Sequence, residues 1–148
     1  MSGCGSGAIR VWDLSTGECE RTLQGHTRVV EGLVVTGNQL MSASRDKSVR
    51  EWCLASGACL KVLQAYPAES EQFIFRLVVS GRKLVGGSVS NLHNVSSEYE
   101  VVVWDIETLT EEHRLKQPAG ERVWSLVAME GEVWGGFEEQ AAVWGRKM

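Results

Sequence analysis

The sequence predicts an all-β chain built from a repeated unit of about 40 residues. Trp12, Trp52, Trp104 and Trp144 each end a short segment rich in β-branched residues, and they stand 40, 52 and 40 residues apart. No long segment repeats its apolar residues with the 3.6-residue period of an amphipathic helix. Strands joined by short turns are therefore expected throughout the chain.

A second pattern recurs after the first two tryptophans, in the segments STGECERTLQGH and ASGACLKVLQAY. Three residue pairs stand 40 apart there: Gly17 and Gly57, Cys19 and Cys59, and Leu23 and Leu63. A glycine turn followed by an apolar-rich run is typical of a strand, a turn and another strand. We expect the two aligned cysteines to be core residues at equivalent positions, since a free cysteine usually behaves as a small buried hydrophobe.

A third pattern is a hairpin that occurs three times, in GLVVTGNQLMSAS, RLVVSGRKLVGGS and SLVAMEGEVWGGF. Each copy has a β-rich run, a short turn and a second β-rich run, which is typical of a β-hairpin. The three hairpins alternate with the tryptophan segments, so each repeat is expected to supply four strands.

The dipeptide Trp-Asp ends two of the four segments, at positions 12–13 and 104–105, whereas Cys53 and Gly145 replace the Asp in the others. With the period of about 40 residues, this pattern resembles the WD40 repeat over essentially the whole chain. The resemblance implies a partial β-propeller of four-stranded antiparallel blades, with strands lettered a to d from the axis outward. A weaker resemblance points to the WD40 substrate receptors of the F-box type.

The strand pattern divides the chain into a partial blade at 1–25, a regular blade at 26–65, an expanded blade at 66–117 and an incomplete blade at 118–148. These amount to about three and a half blades, whereas propellers close with four to eight. Three explanations stay open: a fragment of a longer propeller, a half-ring that pairs with a copy of itself, or a small or open single chain.

The expanded blade has 12 more residues than the regular one, four in its d–a connection and eight in its b–c loop. In a propeller both connections lie on one face, called the top, and insertions on one face often mark a binding face. The b–c insertion spans residues 88–100 and is polar. The alternative is a surface loop without a function.

The regular blade alone carries the full polar set of the family: His26, then Ser42 or Ser44, then Asp46 and Trp52. The resemblance implies a buried structural network, because an imidazole and an indole N–H inside a protein need partners. Strand alternation does not choose between the two serines. We expect apolar packing to hold the other blades, and we do not assign a catalytic triad.

The resemblance also places partner contacts on the top face, beside the b–c turn and at the start of strand a. The candidate residues are Arg28, Val30, Arg45, Phe75, Arg76, Arg122 and Trp124. Arginine and aromatic residues are enriched at interface hot spots, and several arginines together suit an acidic or phosphorylated peptide. A solvated arginine at a strand end is the alternative for the arginines among them. We expect Trp134 and Phe137 to pack between blades and not to bind a partner.

The composition excludes several other classes of function. A net charge of −4 and a pI near 5.4 give no bulk attraction to nucleic acid or an anionic membrane. We expect no signal peptide, no metal site and no cofactor. The expected location is intracellular, either cytoplasmic or nuclear.

The predicted function is a non-catalytic scaffold or adaptor that binds a protein or peptide. Substrate recognition in a ubiquitin ligase is the alternative, and a propeller enzyme with a central-channel site is less favoured.

Overall fold

The computed structural model describes residues 2–3, 6–90, 99–116, 125–129, 132–136 and 141–144, and these residues form strands and turns only. The first sheet contains β1 (Ser2–Gly3), β2 (Ile9–Trp12) and β3 (Cys19–Leu23). The regular blade contains β4 (Val30–Thr36), β5 (Gln39–Ser44), β6 (Ser48–Cys53) and β7 (Cys59–Gln64). The expanded blade contains β8 (Gln72–Ser80), β9 (Lys83–Ser90), β10 (Glu100–Asp105) and β11 (Glu111–Lys116). The last sheet contains β12 (Ser125–Met129), β13 (Glu132–Gly136) and β14 (Ala141–Trp144).

Every sheet is antiparallel and keeps its strands in chain order, so the predicted fold class is confirmed. The innermost strands of the two central blades, β4 and β8, lie side by side. A Cβ on Gly32 of β4 would stand 3.3 Å from both the Leu77 nitrogen and the Phe75 oxygen of β8. Glycine thus allows two backbones to approach closely at the inner edge.

Apolar side chains fill the space between neighbouring sheets. Trp52 faces the first sheet and packs with Ile9, Leu23, Val30 and Leu40. Trp104 faces the regular blade in the same way, in a cluster that includes Met41, Ala43, Val49, Leu77 and Leu84. Both indoles are about 1% exposed. Each of the two central blades therefore buries its tryptophan against the sheet before it, as expected where a repeat cannot bury its faces alone.

The Asp of the Trp-Asp dipeptide closes the turn that leads to the outermost strand. Asp13 Oδ1 accepts the backbone N–H groups of Ser15 (2.6 Å) and Thr16 (3.3 Å). Asp105 Oδ1 accepts the equivalent N–H groups after its own strand, both at 3.0 Å. These turns are Asx-type turns, which explains why the dipeptide recurs where strand c ends.

A basic side chain on the outer strand ties each of two sheets to the next one. Arg21 Nη1 donates to the carbonyl oxygens of Leu54 (2.6 Å) and Ala55 (2.7 Å) in the regular blade. Lys61 Nζ donates to the Glu107 carbonyl (2.5 Å) in the expanded blade. Both side chains come from the same place in the strand register, opposite the residue that precedes the Trp.

Part of the extra length of the expanded blade lengthens its inner hairpin. The pair Val30–Ser44 ends the ladder between β4 and β5, and its equivalent is Ile74–Ser88. The ladder between β8 and β9 continues for two more pairs, up to Gln72–Ser90. The inserted residues were expected in connections alone, so this part of the prediction is corrected. The remainder of the b–c insertion, residues 91–98, lies outside the described residues.

Two expectations about packing are also wrong. Cys19 and Cys59 are exposed, because each begins an outermost strand, which no further sheet covers. Trp134 was expected to pack between blades, yet it is 41% exposed on the face of β13 turned away from the expanded blade. Phe137, for which the same role was expected, lies outside the described residues.

We expect Gly86→Ala to destabilise the expanded blade. A Cβ there would stand 2.8 Å from Trp104 Cζ3 and 2.9 Å from Ile74 Cγ2, inside the buried interface. Overpacking of this kind costs about 1–3 kcal/mol, measurable as a lower midpoint of urea unfolding. Gly81→Asn is the control: its turn has a φ of +56° that asparagine tolerates, with no neighbouring atom within 4 Å. Equal stability of Gly86→Ala and the parent chain would contradict the packing argument.

Candidate functional site

The structure brings four of the predicted polar residues of the regular blade into one hydrogen-bonded chain. Trp52 Nε1 donates to Ser42 Oγ at 2.8 Å, and Ser42 Oγ lies 2.7 Å from His26 Nε2. His26 Nδ1 lies 2.8 Å from Asp46 Oδ2. Because an indole N–H can only donate, Ser42 accepts from Trp52 and gives its own proton to Nε2. His26 is then the Nδ1–H tautomer and donates to Asp46.

The two serines that alternation could not separate have different partners. Ser42 is the member of the chain described above. Ser44 Oγ accepts from the Asp46 backbone N–H (3.1 Å) and donates to the Arg28 carbonyl (3.0 Å). Ser44 therefore shapes the b–c turn, whereas Ser42 joins the imidazole to the indole.

Asp46 is held as a carboxylate by the groups around it. Burial opposes its ionisation, but hydrogen bonds from His26, from the Ser48 hydroxyl and from the Thr27 and Ser48 backbone N–H groups outweigh that effect. Together they hold the pKa of this carboxyl well below its usual range. Asp46 thus fixes the imidazole and closes the turn at the same time.

The order Asp46–His26–Ser42 is that of a catalytic triad, but its serine is inaccessible. Ser42 is 0% exposed, and its oxygen already accepts the indole N–H. A nucleophile needs a path for the substrate and a free approach to the attacking oxygen. The geometry is that of a buried structural network.

The expanded blade replaces this network with a charged one. Tyr66 stands where the regular blade has His26, and its hydroxyl donates to Glu100 Oε2 (2.8 Å). Arg114 Nη1 donates to the same oxygen (2.6 Å), and the guanidinium lies 5.0 Å from the Tyr66 ring centroid. Ser88 Oγ accepts the Glu100 N–H (2.9 Å). This charged network accompanies the apolar packing around Trp104, which the sequence analysis expected for this blade.

Arg45 is the best-organised candidate on the top face, the end of the blades that carries the b–c turns and d–a connections. Its Nε donates to Glu31 Oε1 (2.5 Å), and its guanidinium lies 5.1 Å from the Phe73 ring centroid. The Arg45 side chain is 46% exposed, so it is neither freely solvated nor buried. Its Nη nitrogens have no ion-pair partner among the described residues.

Glu31 and Phe75 occupy equivalent bulges on adjacent inner strands. The register shifts between Val30 and Gly32 in β4 and between Ile74 and Arg76 in β8. A bulge re-aims the extra side chain, which is why such irregularities are common near binding sites. The Arg76 guanidinium lies 4.2 Å from the Phe75 ring centroid. The sequence analysis missed Glu31 and Phe73, since no pattern in the residues signals a bulge or a longer ladder.

The other partner-binding candidates have different positions. Arg28 is exposed beside the same turn. Val30 is 7% exposed and belongs to the core cluster around Trp52, so its assignment to a partner surface is corrected. It is the last residue before the bulge and faces the first sheet. Arg122 and Trp124 lie outside the described residues.

Comparison with known proteins identifies the repeat. The family model described as "WD domain, G-beta repeat" matches residues 17–53, which run from the turn before β3 to the end of β6. The matched segment ends one residue after the buried Trp52 and contains the whole His26 network. Residues 17–53 therefore form a WD40 repeat.

Curated relatives resemble part of the chain. Mitochondrial division protein 1 of Pyricularia oryzae is 45% identical over 42 residues, 28% of this chain and 6% of that protein. Nuclear distribution protein PAC1-1 of Uncinocarpus reesii is 44% identical over 52 residues, 32% of this chain and 12% of that protein. The chain thus spans about a tenth or less of the length of these relatives.

Among solved structures, the crystal structure of the computationally designed Ika4 protein is similar over nearly the whole chain. The TM-score is 0.73 with 26% sequence identity, over 97% of this chain and 82% of the designed one. The likeness therefore extends well beyond the single repeat that the family model matches.

The described residues contain no helix that is both long and apolar enough to cross a membrane. Within the same residues, no three His, Cys, Asp or Glu side chains are grouped so as to hold a metal ion.

We expect Ser42→Ala to destabilise the chain more than Ser44→Ala. Loss of Ser42 Oγ leaves the buried Trp52 N–H and His26 Nε2 without a partner, which costs about 2 kcal/mol or more. Loss of Ser44 Oγ affects two backbone groups nearer the solvent and costs about 1 kcal/mol. Urea unfolding monitored by tryptophan fluorescence measures both changes. The opposite order would show that Ser42 is not the central member of the network.

Stability should fall on acidification in a way that depends on Asp46. Its folded-state pKa is depressed, so the unfolded chain binds a proton first as the pH falls below about 4. The stabilisation from the carboxylate is present above that pH and declines below it. Asp46→Asn should be less stable than the parent at pH 6, and the difference should narrow at pH 3. A difference that is constant with pH would contradict this assignment.

Proposed function

We propose that the chain is a non-catalytic interaction scaffold that binds a protein or peptide on its top face. The observation that carries the proposal is the arrangement around Arg45, where a half-exposed guanidinium is held in place by Glu31 and Phe73. Holding a side chain in its bound geometry lowers the entropy lost on association. The WD40 repeat at residues 17–53 supports the same class of function.

The inner edge of the top face combines two features of an interface hot spot. Arg45 and Arg76 each lie over the ring of a phenylalanine of β8. Arginine and aromatic residues are enriched at hot spots, and a guanidinium stacked on a ring keeps its edge for hydrogen bonds. The longer ladder of the expanded blade brings Phe73 up to Arg45, so the insertion contributes directly to this surface.

An acidic or phosphorylated peptide is the partner that this chemistry favours. The Nε of Arg45 is taken by Glu31, but a carboxylate or phosphate can pair with the Nη edge. A hydrolytic role is not supported, because the Asp46–His26–Ser42 chain has no access for a substrate. Substrate recognition in a ubiquitin ligase remains a finer alternative that would use the same surface.

We also propose an intracellular setting, with the blades forming part of a larger ring or pairing with a second copy. The names of the relatives refer to mitochondrial division and nuclear distribution, which take place inside cells. Repeats of this type bury their faces only against neighbours, which favours a larger assembly.

The test is binding to an array of peptides that are acidic, phosphorylated, neutral or basic. The chain should retain a subset of acidic or phosphorylated peptides, and Arg45→Ala should weaken that binding about tenfold or more. Arg82→Ala is the matched control, because Arg82 pairs with Glu107 (2.8 Å) at the opposite end of the blades. Unchanged binding by Arg45→Ala, or equal losses in both variants, would reject the proposed site.

A further inference from the structure

A partly exposed region on the outer rim lies where the outermost strand of the first sheet adjoins the regular blade. We call it the rim cleft and define it by Arg21 on β3 and by Arg50, Leu60 and Val62 on the regular blade. Arg50 and Val62 are paired across β6 and β7, so their side chains share one face. That face turns toward the first sheet, since a Cβ on Gly25 would stand 2.7 Å from Arg50 Nη1.

The outer part of this face is open although it points at a neighbouring sheet. Val62 is 55% exposed, and Leu60, at the bulge of the same strand, is 50% exposed. Nearer the axis, by contrast, Trp52 on the same face is fully buried. Side chains of the regular blade are therefore buried near the axis, whereas two apolar side chains of its outermost strand remain uncovered.

Among the described residues, the arginines of the rim cleft are paired with no carboxylate. Arg50 Nε is buried and has no hydrogen-bond partner within this part of the chain, while Nη1 donates to Cys59 Sγ at 3.8 Å. Arg21 donates to two carbonyl oxygens and pairs with no carboxylate among the described residues. Arg45, Arg82 and Arg114, by contrast, each lie against a glutamate. The chain as a whole has a net charge of −4, so the local positive charge of Arg21 and Arg50 contrasts with the rest of the molecule.

We propose that the rim cleft binds an extended segment of a partner protein in which one carboxylate lies between apolar side chains. The carboxylate would pair with the guanidinium of Arg50, whose partly buried charge attracts an anion more strongly than a solvated one. The flanking apolar side chains would cover Leu60 and Val62 and exclude water from the pair. This site lies on the outer rim and is separate from the proposed contacts around Arg45.

The test uses the 148-residue chain and fluorescein-labelled peptides with the core Val-Glu-Val between Gly-Ser flanks. Fluorescence anisotropy should show that the glutamate peptide binds about tenfold more tightly than its Val-Gln-Val counterpart. Arg50→Met should remove that preference. Arg10→Met is the matched control, because Arg10 holds the equivalent place two residues before Trp12 but lies over Trp12, away from the rim cleft.

A second variant keeps the test decisive if Arg50→Met fails to fold. Val62→Glu changes an exposed side chain and places a carboxylate beside Arg50, so it should compete with the peptide and weaken binding about tenfold. Val35→Glu, at another exposed valine, should leave the affinity unchanged. Equal affinity for the two peptides, no detectable binding at about 1 mM, or unchanged binding by Val62→Glu would overturn the proposal.

Discussion

The burial of Trp52 and Trp104 against the preceding sheets is the contact on which the hydrogen-bonded network and the top surface depend. Trp52 and Trp104 fill the inner part of two successive interfaces, where a β-sheet has no other way to remove its apolar face from water. Once the indole is buried, its N–H must find an acceptor. In the regular blade that acceptor is Ser42, which then orients His26 and, through it, Asp46 and the b–c turn. The top surface around Arg45 is built on this turn.

The family repeat and the structural blade are out of phase by one strand. The matched residues 17–53 supply β3 to the first sheet and β4 to β6 to the regular blade. One repeat is therefore shared between two sheets, and the peptide chain itself crosses the interface that Trp52 closes. Arg21 reinforces the same interface from the rim through the carbonyls of Leu54 and Ala55. The chain connection and the hydrogen bonds of Arg21 thus both hold the first sheet against the regular blade.

The strands were predictable because they depend on local patterns, whereas the His26 network was predicted from the resemblance to the WD40 repeat. Alternating apolar residues, turn glycines and the tryptophan spacing are each visible in a single stretch of sequence. The polar set of Tyr66, Glu100 and Arg114 was not predictable, because three positions far apart in the chain change together. The contact of Arg45 with Glu31 depends on a bulge, and its contact with Phe73 depends on a longer ladder. Neither feature leaves a residue signature, and for that reason Val30 was misplaced on the surface.

The close contact of Gly86 with Trp104 has an evolutionary consequence. Gly86 is the register equivalent of Ser42, and the indole of the expanded blade occupies the volume that a serine side chain would need there. A lineage with this packing cannot regain the His–Ser–Trp chain by single steps, since a serine alone clashes and a histidine in place of Tyr66 would lack that serine partner. The two blades therefore hold their tryptophan in alternative ways. Converting one arrangement into the other needs substitutions that are each deleterious alone, so substitutions tolerated in one blade will be deleterious in the other.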